Sequence, residues 1–361
     1  MVVYFGLYSI LVLCLFAKPS SKGKKKSRKA FIFLLVLFVL LLGLRHPIMG
    51  QDLQYGSRTG YLGMFETIGK TSWQNIWLNS SIVNSDSTDF LNYEFGYVAF
   101  NKLVSLFGTN YTWFLCVCAF VSLLPIFVIL RKNSENFEFS LIIYLSLPCF
   151  LMLFSGVRQA IAIGLCFASY SFIVQKKLVK FVLLVLVAFL FHSSAILFLI
   201  AFPIYYFPIK KKYRFITLLL IFVVFVFRTQ LFYLLAPLLD NSAKTDNNGA
   251  LTLFLVFILV YIFCCYFSKD CKKDNGLLNL FLIAILCQAF GNIFASAARV
   301  GFYFMPFICL LLPKVLKNIH NPERSLISIP IYSIFIIYGL YSLYSNGSSW
   351  PMTYPWVPFW N

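Results

Sequence analysis

The chain has 361 residues, 60% of them hydrophobic and only 12% charged, with a mean hydropathy of +0.83. A soluble domain carries about 25% charged and about 45–50% apolar residues, so this composition excludes an aqueous globular fold and requires lipid as the solvent. The net charge of +18 is not gathered on one face but split into short clusters between apolar runs, where a membrane protein keeps its anchors, and nucleic acid is set aside as a partner.

The first apolar run, 2–17, has no basic residue before it and a dense basic stretch after it, from Lys18 to Lys29. A secretory leader has the reverse order, which predicts an uncleaved first helix with its N-terminus outside. Further apolar runs follow at 30–44, 111–130, 139–154, 157–175, 178–191, 194–208, 214–235, 250–267, 277–293, 299–316 and 326–344. Several are near the lower limit for a span, about 17 residues. The polar break His192-Ser193-Ser194 predicts a hairpin between 178–191 and 194–208 rather than one long helix. Residues 95–107, after Glu94, are apolar but too short to span and predict an interfacial or re-entrant helix.

Alternating sides from an outer N-terminus places 22 of the 30 Lys and Arg in the inner connections and makes every inner connection basic, as the positive-inside rule requires. The expected fold class is an all-α polytopic integral membrane protein with about 11–12 transmembrane helices. It forms a single membrane domain over 1–361, with an outer polar loop at 45–110 carrying short interfacial helices and an outer aromatic tail at 345–361. Both termini are expected outside. The ten cysteines lie nearly all within apolar runs and none in the polar loop, which argues against a disulfide framework. Cys116-x-Cys118 and Cys264-Cys265 lack His or further Cys at zinc spacing, and there is no phosphate loop, so neither metal nor cofactor is expected.

Arg45-His46, Arg158-Gln159, His192 and Arg299 fall where an apolar helix meets the outer side. An arginine at bilayer depth costs about 2.5–3.5 kcal/mol on insertion scales, so it has a partner or a task. Snorkelling to headgroups is the plain reading of any one of them. Several meeting on one face would instead bind an anion, because guanidinium groups hold phosphate bidentately and keep their charge. A lipid-linked pyrophosphate suits that place. The loop adds Asp52, Glu66, Asp86, Asp89 and Glu94. Asp52 and Glu94 are candidate general bases toward a sugar hydroxyl, although Asp52 could equally pair with Arg45 or cap a turn. Asp86-Ser87-Thr88-Asp89 has the wrong spacing for a metal motif and reads as a solvated turn. His192 stands out as a polar group in an apolar stretch, whereas His320 lies in an inner basic loop. The loop aromatics (Tyr55, Tyr61, Trp73, Trp77, Tyr93, Tyr97) and the tail aromatics (Trp350, Tyr354, Trp356, Trp360) read as an interfacial belt that also offers faces to sugar rings.

With these residues in place, the sequence resembles the EpsG/Wzy-type polysaccharide polymerases of bacteria. The resemblance rests on Leu44-Arg45, Gly50-Gln51-Asp52 with Tyr55, and Tyr93-Glu94-Phe95-Gly96-Tyr97. It continues through Ser155-Gly156-Val157-Arg158-Gln159-Ala160, Phe191-His192-Ser193-Ser194-Ala195 and Ala298-Arg299-Val300-Gly301-Phe302-Tyr303. His46-Pro47-Ile48-Met49, between Arg45 and the Gly-x-Asp turn, departs from the pattern. The resemblance implies a membrane glycosyltransferase-like bundle in the bacterial cytoplasmic membrane that joins undecaprenyl-diphosphate-linked oligosaccharides on the outer face and releases undecaprenyl diphosphate. It implies Arg45, Arg158 and Arg299 on the diphosphate and His192, Asp52 or Glu94 on the acceptor hydroxyl. It implies Gln159, Tyr55, Tyr97 and Tyr303 against substrate. Membrane lipids, a chain-length regulator and a flippase of the same pathway are the implied partners. An O-antigen ligase, a polyprenol-linked sugar flippase and a sugar acyltransferase are the rival readings.

Overall fold

In lipid a backbone must satisfy its own hydrogen bonds, so apolar runs become helices and polar stretches between them are free to turn. The computed structural model describes the chain except for residues 17–22, 55–59, 79–81, 84–89, 92, 236–248, 270, 321, 347–350 and 361. Helices α1 (Val2–Phe16) and α2 (Gly23–Gly43) are followed by the polar loop. The loop contains a 3-10 turn at Gln51–Leu53, α3 (Tyr61–Lys70), α4 (Trp73–Leu78), the antiparallel two-residue strands β1 (Ile82–Val83) and β2 (Phe90–Leu91), and α5 (Phe95–Ser105). Then come α6 (Tyr111–Asn133), α7 (Phe137–Leu145), α8 (Pro148–Leu151), α9 (Val157–Val174) and α10 (Leu178–Phe189). A 3-10 stretch at Ser193–Ile200 runs into α11 (Ala201–Tyr206). Next are α12 (Arg214–Val226), α13 (Arg228–Leu235), α14 (Gly249–Phe267), α15 (Lys272–Ala289), α16 (Ala295–Gly301), α17 (Ile308–Asn318) and α18 (Glu323–Ser345).

The protein is an all-α polytopic membrane protein, and each apolar run of the sequence coincides with helical backbone. Among the described residues, four helical stretches are individually long and apolar enough to cross a bilayer: Tyr111–Asn133, Val157–Val174, Ala295–Asn318 and Glu323–Ser345. A fifth arises if α12 and α13, bent by 70° between them, form one broken span. Val2–Phe16, Leu178–Phe189, Ser193–Tyr206 and Leu251–Phe267 are shorter apolar helices, so the structure differs from twelve uniform rods. Breaks come where the backbone is forced out of the helix: at Leu147, extended before Pro148, as residues preceding proline usually are, and at His192, also extended.

Because lipid gives no hydrophobic drive for helix association, buried polar contacts hold the spans together, each worth about 0.6–2 kcal/mol. Ser140 Oγ donates to Cys309 O at 2.6 Å, joining α7 to α17. Ser146 lies 2.6 Å from Phe335 O and 3.0 Å from the Tyr8 hydroxyl, joining the end of α7 to α18 and α1. Asn279 of α15 donates to Ile204 O at 2.9 Å and Phe207 O at 2.8 Å at the end of α11. Helix α6 lies between α2 and α9, and α10 packs on α9.

The bundle has two distinct ends. At one, Lys317 pairs with Glu135 at 2.7 Å, Lys314 pairs with Asp274, and Lys211 Nζ donates to Tyr266 O at 3.0 Å. At the other, the polar loop, the turns before α9 and after α10, and the tail come together. The tail adds itself to the end of α2: His46 N–H donates to Val357 O at 2.7 Å and Phe359 N–H to Leu44 O at 2.9 Å.

Candidate active site

A cavity of about 280 Å³ opens at the loop end of the bundle. It is lined by Arg158 and Gln159 from the first turn of α9, His192 from the turn after α10, and Arg299 from α16. Asp52 and Gln54, from the 3-10 turn, and Tyr61 and Tyr93 line it too. Six segments spread from residue 52 to residue 299 thus meet at one place.

The sequence places Arg158 at a helix N-terminus, where the macrodipole is already positive and a cation is disfavoured. The structure offsets this locally. Arg158 Nη1 pairs with the Glu94 carboxylate, Nε donates to the Tyr61 hydroxyl at 3.2 Å, and the guanidinium lies 4.5 Å from the Tyr93 ring centroid and 5.6 Å from that of Tyr61. Among the described residues, Nη2 has no hydrogen-bond partner. Arg158 is therefore aimed but not saturated.

Glu94 is the hub. It caps the start of α5 in extended conformation, and besides Arg158 it accepts the Ser193 N–H at 2.9 Å and stands 3.3 Å from His192 Nδ1, off the line of a well-aligned hydrogen bond. Its approach depends on Gly96, where a Cβ would lie 2.6 Å from Leu190 Cβ and 2.7 Å from Leu190 O; Tyr97 N–H donates to that same carbonyl at 3.2 Å. Burial alone would raise the Glu94 carboxyl, but the approach of His192, the charge of Arg158 and the Ser193 N–H outweigh it and lower it to about 2. Burial lifts the Tyr93 phenol to about 12, so it stays neutral. Gln159 Nε2 donates to Arg299 O at 2.9 Å, and Ser194 Oγ lies 2.9 Å from the Tyr303 hydroxyl. These two contacts lock α16 and the turn after it onto α9 and the His192 turn.

Of the candidate residues, Arg158, Gln159, His192, Arg299 and Asp52 line the cavity, and Glu94 sits directly behind Arg158 and His192. Three do not take the expected place. Arg45 is 1% exposed, and its guanidinium donates to the carbonyls of Leu42, Met49, Leu153 and Phe154, so it is withdrawn from the diphosphate set. Tyr97 is fully buried beneath Tyr61 and Tyr93, and Tyr303 is fully buried with its hydroxyl on Ser194; neither reaches the cavity. Tyr55 lies outside the described residues. Elsewhere in the loop, Glu66 pairs with Lys70 at 2.7 Å and accepts from the Tyr111 hydroxyl, and His46 Nδ1 accepts Ile48 N–H at 3.2 Å within its own turn. Tyr61, Tyr93 and Gln54 join the site although composition marked the two tyrosines only as loop aromatics.

A family model described as the EpsG family matches residues 29–359. The chain belongs to the EpsG family. That family is one of Wzy-type polysaccharide polymerases, so the chain is a polysaccharide-polymerase-type membrane protein, and the matched span takes in every cavity residue as well as the tail up to Phe359. No curated protein and no solved structure matches the chain. In this EpsG protein the cavity falls just below the usual range of small-molecule sites, about 300–1,000 Å³.

Proposed function

We propose that the protein joins undecaprenyl-diphosphate-linked oligosaccharides on the outer face of the bacterial cytoplasmic membrane. The observation that carries this reading is the convergence of Arg158, Arg299 and His192, with Glu94 behind them, in one cavity at one end of the bundle. A hydroxyl oxygen of the acceptor sugar forms a bond to the anomeric carbon of the donor sugar, and the bond from that carbon to the diphosphate breaks. The hydroxyl proton passes to His192 Nε2, the ring nitrogen on the cavity side when Nδ1–H faces Glu94. The departing diphosphate gains negative charge, which Arg158, Arg299 and the positive end of α9 stabilise. Asp52, across the cavity, orients the acceptor through its other hydroxyls. The leaving group is already activated, so the step needs no nucleotide.

Position supports the outer face: the cavity lies opposite the lysine-rich end, which the positive-inside rule assigns to the cytoplasm. A one-ended cavity also favours a transferase over a flippase, whose path must be polar on both sides of the membrane. A flippase that delivers the lipid-linked units and a regulator of chain length are the partners this reaction requires in the cell.

The test is purified protein in proteoliposomes supplied with a defined undecaprenyl-diphosphate oligosaccharide. Wild type is expected to give a ladder of chain lengths and free undecaprenyl diphosphate, and Arg158→Ala and His192→Ala are each expected to slow it at least about a hundredfold. A normal ladder from both variants would overturn the reading. Transfer only to an added lipid A-core acceptor, with no ladder, would replace it with a ligase.

A further inference from the structure

Arg158 is aimed by a turn that is itself held from two sides. The tail segment 351–359 is anchored on α1, α2 and α18. Trp356 Nε1 donates to Leu41 O at 3.1 Å, buried Thr353 donates through N–H to Asn346 O at 3.0 Å and through Oγ1 to Leu343 O at 2.7 Å, and the Tyr4 hydroxyl donates to Thr353 O. From that base Pro351 O accepts Ser155 Oγ–H at 2.8 Å. Ser155 is fully buried and stands three residues before Arg158.

The other grip is Arg45. It lies in the stretch that the tail pairs with, opposite Pro358. Its Nη2 donates to Leu153 O at 3.1 Å and Phe154 O at 3.0 Å, while Nη1 binds Leu42 O in the last turn of α2 and Nε binds Met49 O in the loop that follows. Gly50, with φ of 109°, lets the chain pass against the Phe154 carbonyl, a space that a Cβ would fill. A fully buried guanidinium with carbonyls rather than a carboxylate as partners is costly, and what its four bonds achieve is to fix Leu153 and Phe154 relative to α2. Leu153, Phe154 and Ser155 are thus gripped one after another, and α9 starts two residues later.

We propose that Arg45 and the C-terminal segment 351–359 form one clamp that positions Arg158. Docking of the segment sets the turn 153–156, and the turn sets the direction in which the first residues of α9 face the cavity. Arg45 and Ser155 are positioning residues. Undocking the tail loosens the anion site without dismantling the bundle. The consequence for ligand binding rests on the diphosphate reading of Arg158, whereas the clamp itself is a statement about backbone order.

The experiment uses the full-length chain in nanodiscs, comparing wild type with Ser155→Ala, Ser155→Thr, Arg45→Lys and Arg158→Ala. Hydrogen–deuterium exchange over 152–162 reads the clamp, and the affinity of added undecaprenyl diphosphate reads the site. Loss of one hydrogen bond corresponds to about a fivefold change. Ser155→Ala is expected to speed exchange of that peptide and to weaken the carrier lipid by about that factor, with an unchanged melting temperature. Ser155→Thr, which keeps the hydroxyl, is expected to restore both. Arg45→Lys is expected to act more strongly, and Ser155→Ala carries the test if Arg45→Lys does not fold. Unchanged exchange over 152–162 in Ser155→Ala would overturn the clamp. Unchanged affinity in Arg158→Ala would overturn the diphosphate reading instead, and the exchange result would still decide the clamp.

Discussion

Replacing Glu94 by Gln keeps the shape of the side chain and removes its charge. In the native site the carboxylate serves donors on both sides, Arg158 Nη1 on one and Ser193 N–H with His192 Nδ1 on the other. An amide has one oxygen and one NH2, so whichever way it is turned, one of those sides faces N–H against N–H. A hydrogen bond to a charged group contributes about 1.5–3 kcal/mol, and at about 1.36 kcal/mol per tenfold this predicts a loss in kcat/KM of roughly ten- to 150-fold. Glu94→Asp, with charge kept and reach shortened, should fall between. The Glu94 carboxyl sits at about 2 against 4.5 unperturbed. A depressed value means that its stabilisation is complete above pH 4.5 and is lost only as pH falls toward 2. Glu94 therefore does not titrate where the protein works. The assay is release of undecaprenyl diphosphate by the reconstituted protein between pH 5 and 9. Glu94→Gln is expected to lower the whole profile. Activity within twofold of wild type across that range would refute Glu94 as the charged hub of the site.

Two further substitutions separate packing from charge. Gly96→Ala drives a methyl group into Leu190; overpacking of this kind costs about 1–3 kcal/mol, so a lower melting temperature and a loss of activity of about tenfold are expected in the same preparation, and wild-type values of both would contradict the close approach of α5 to α10. Arg158→Lys keeps one positive charge but loses the bond to Tyr61 and the planar contact with Tyr93; carrier-lipid affinity, read by titration in nanodiscs, is expected to fall about tenfold, because an ammonium cannot hold phosphate bidentately.

The membrane class and the cationic candidates were legible because both are written in local composition: apolar runs, and charges at their ends. Arg158, Gln159, His192 and Arg299 meet in space because each stands where one helix ends or begins at the same end of the bundle. Arg45 has that same signature, yet its partners are carbonyls at Leu153 and Phe154, more than a hundred residues on, and no local pattern announces them. Tyr93 and Tyr97 belong to one motif, but Tyr93 precedes α5 and reaches the cavity while Tyr97 lies in its first turn and points into the core. The tail shows the limit most clearly. Its Trp and Tyr content suits an interfacial belt, whereas its backbone pairs with Leu44 and His46, and composition does not tell the two apart. The break at His192 was legible as a polar interruption, but the one at Pro148 was hidden for a related reason: hydropathy marks that a segment is apolar, not that Pro148 interrupts its hydrogen bonding.

The most direct test of the anion site is to determine the structure of the protein in nanodiscs with undecaprenyl diphosphate bound. The expected result is a diphosphate within hydrogen-bond distance of Arg158 and Arg299, at the end of the bundle that carries the C-terminal tail, with His192 beside the terminal phosphate. A diphosphate held by the lysines at the opposite end, or one that leaves Arg158 and Arg299 untouched, would contradict it.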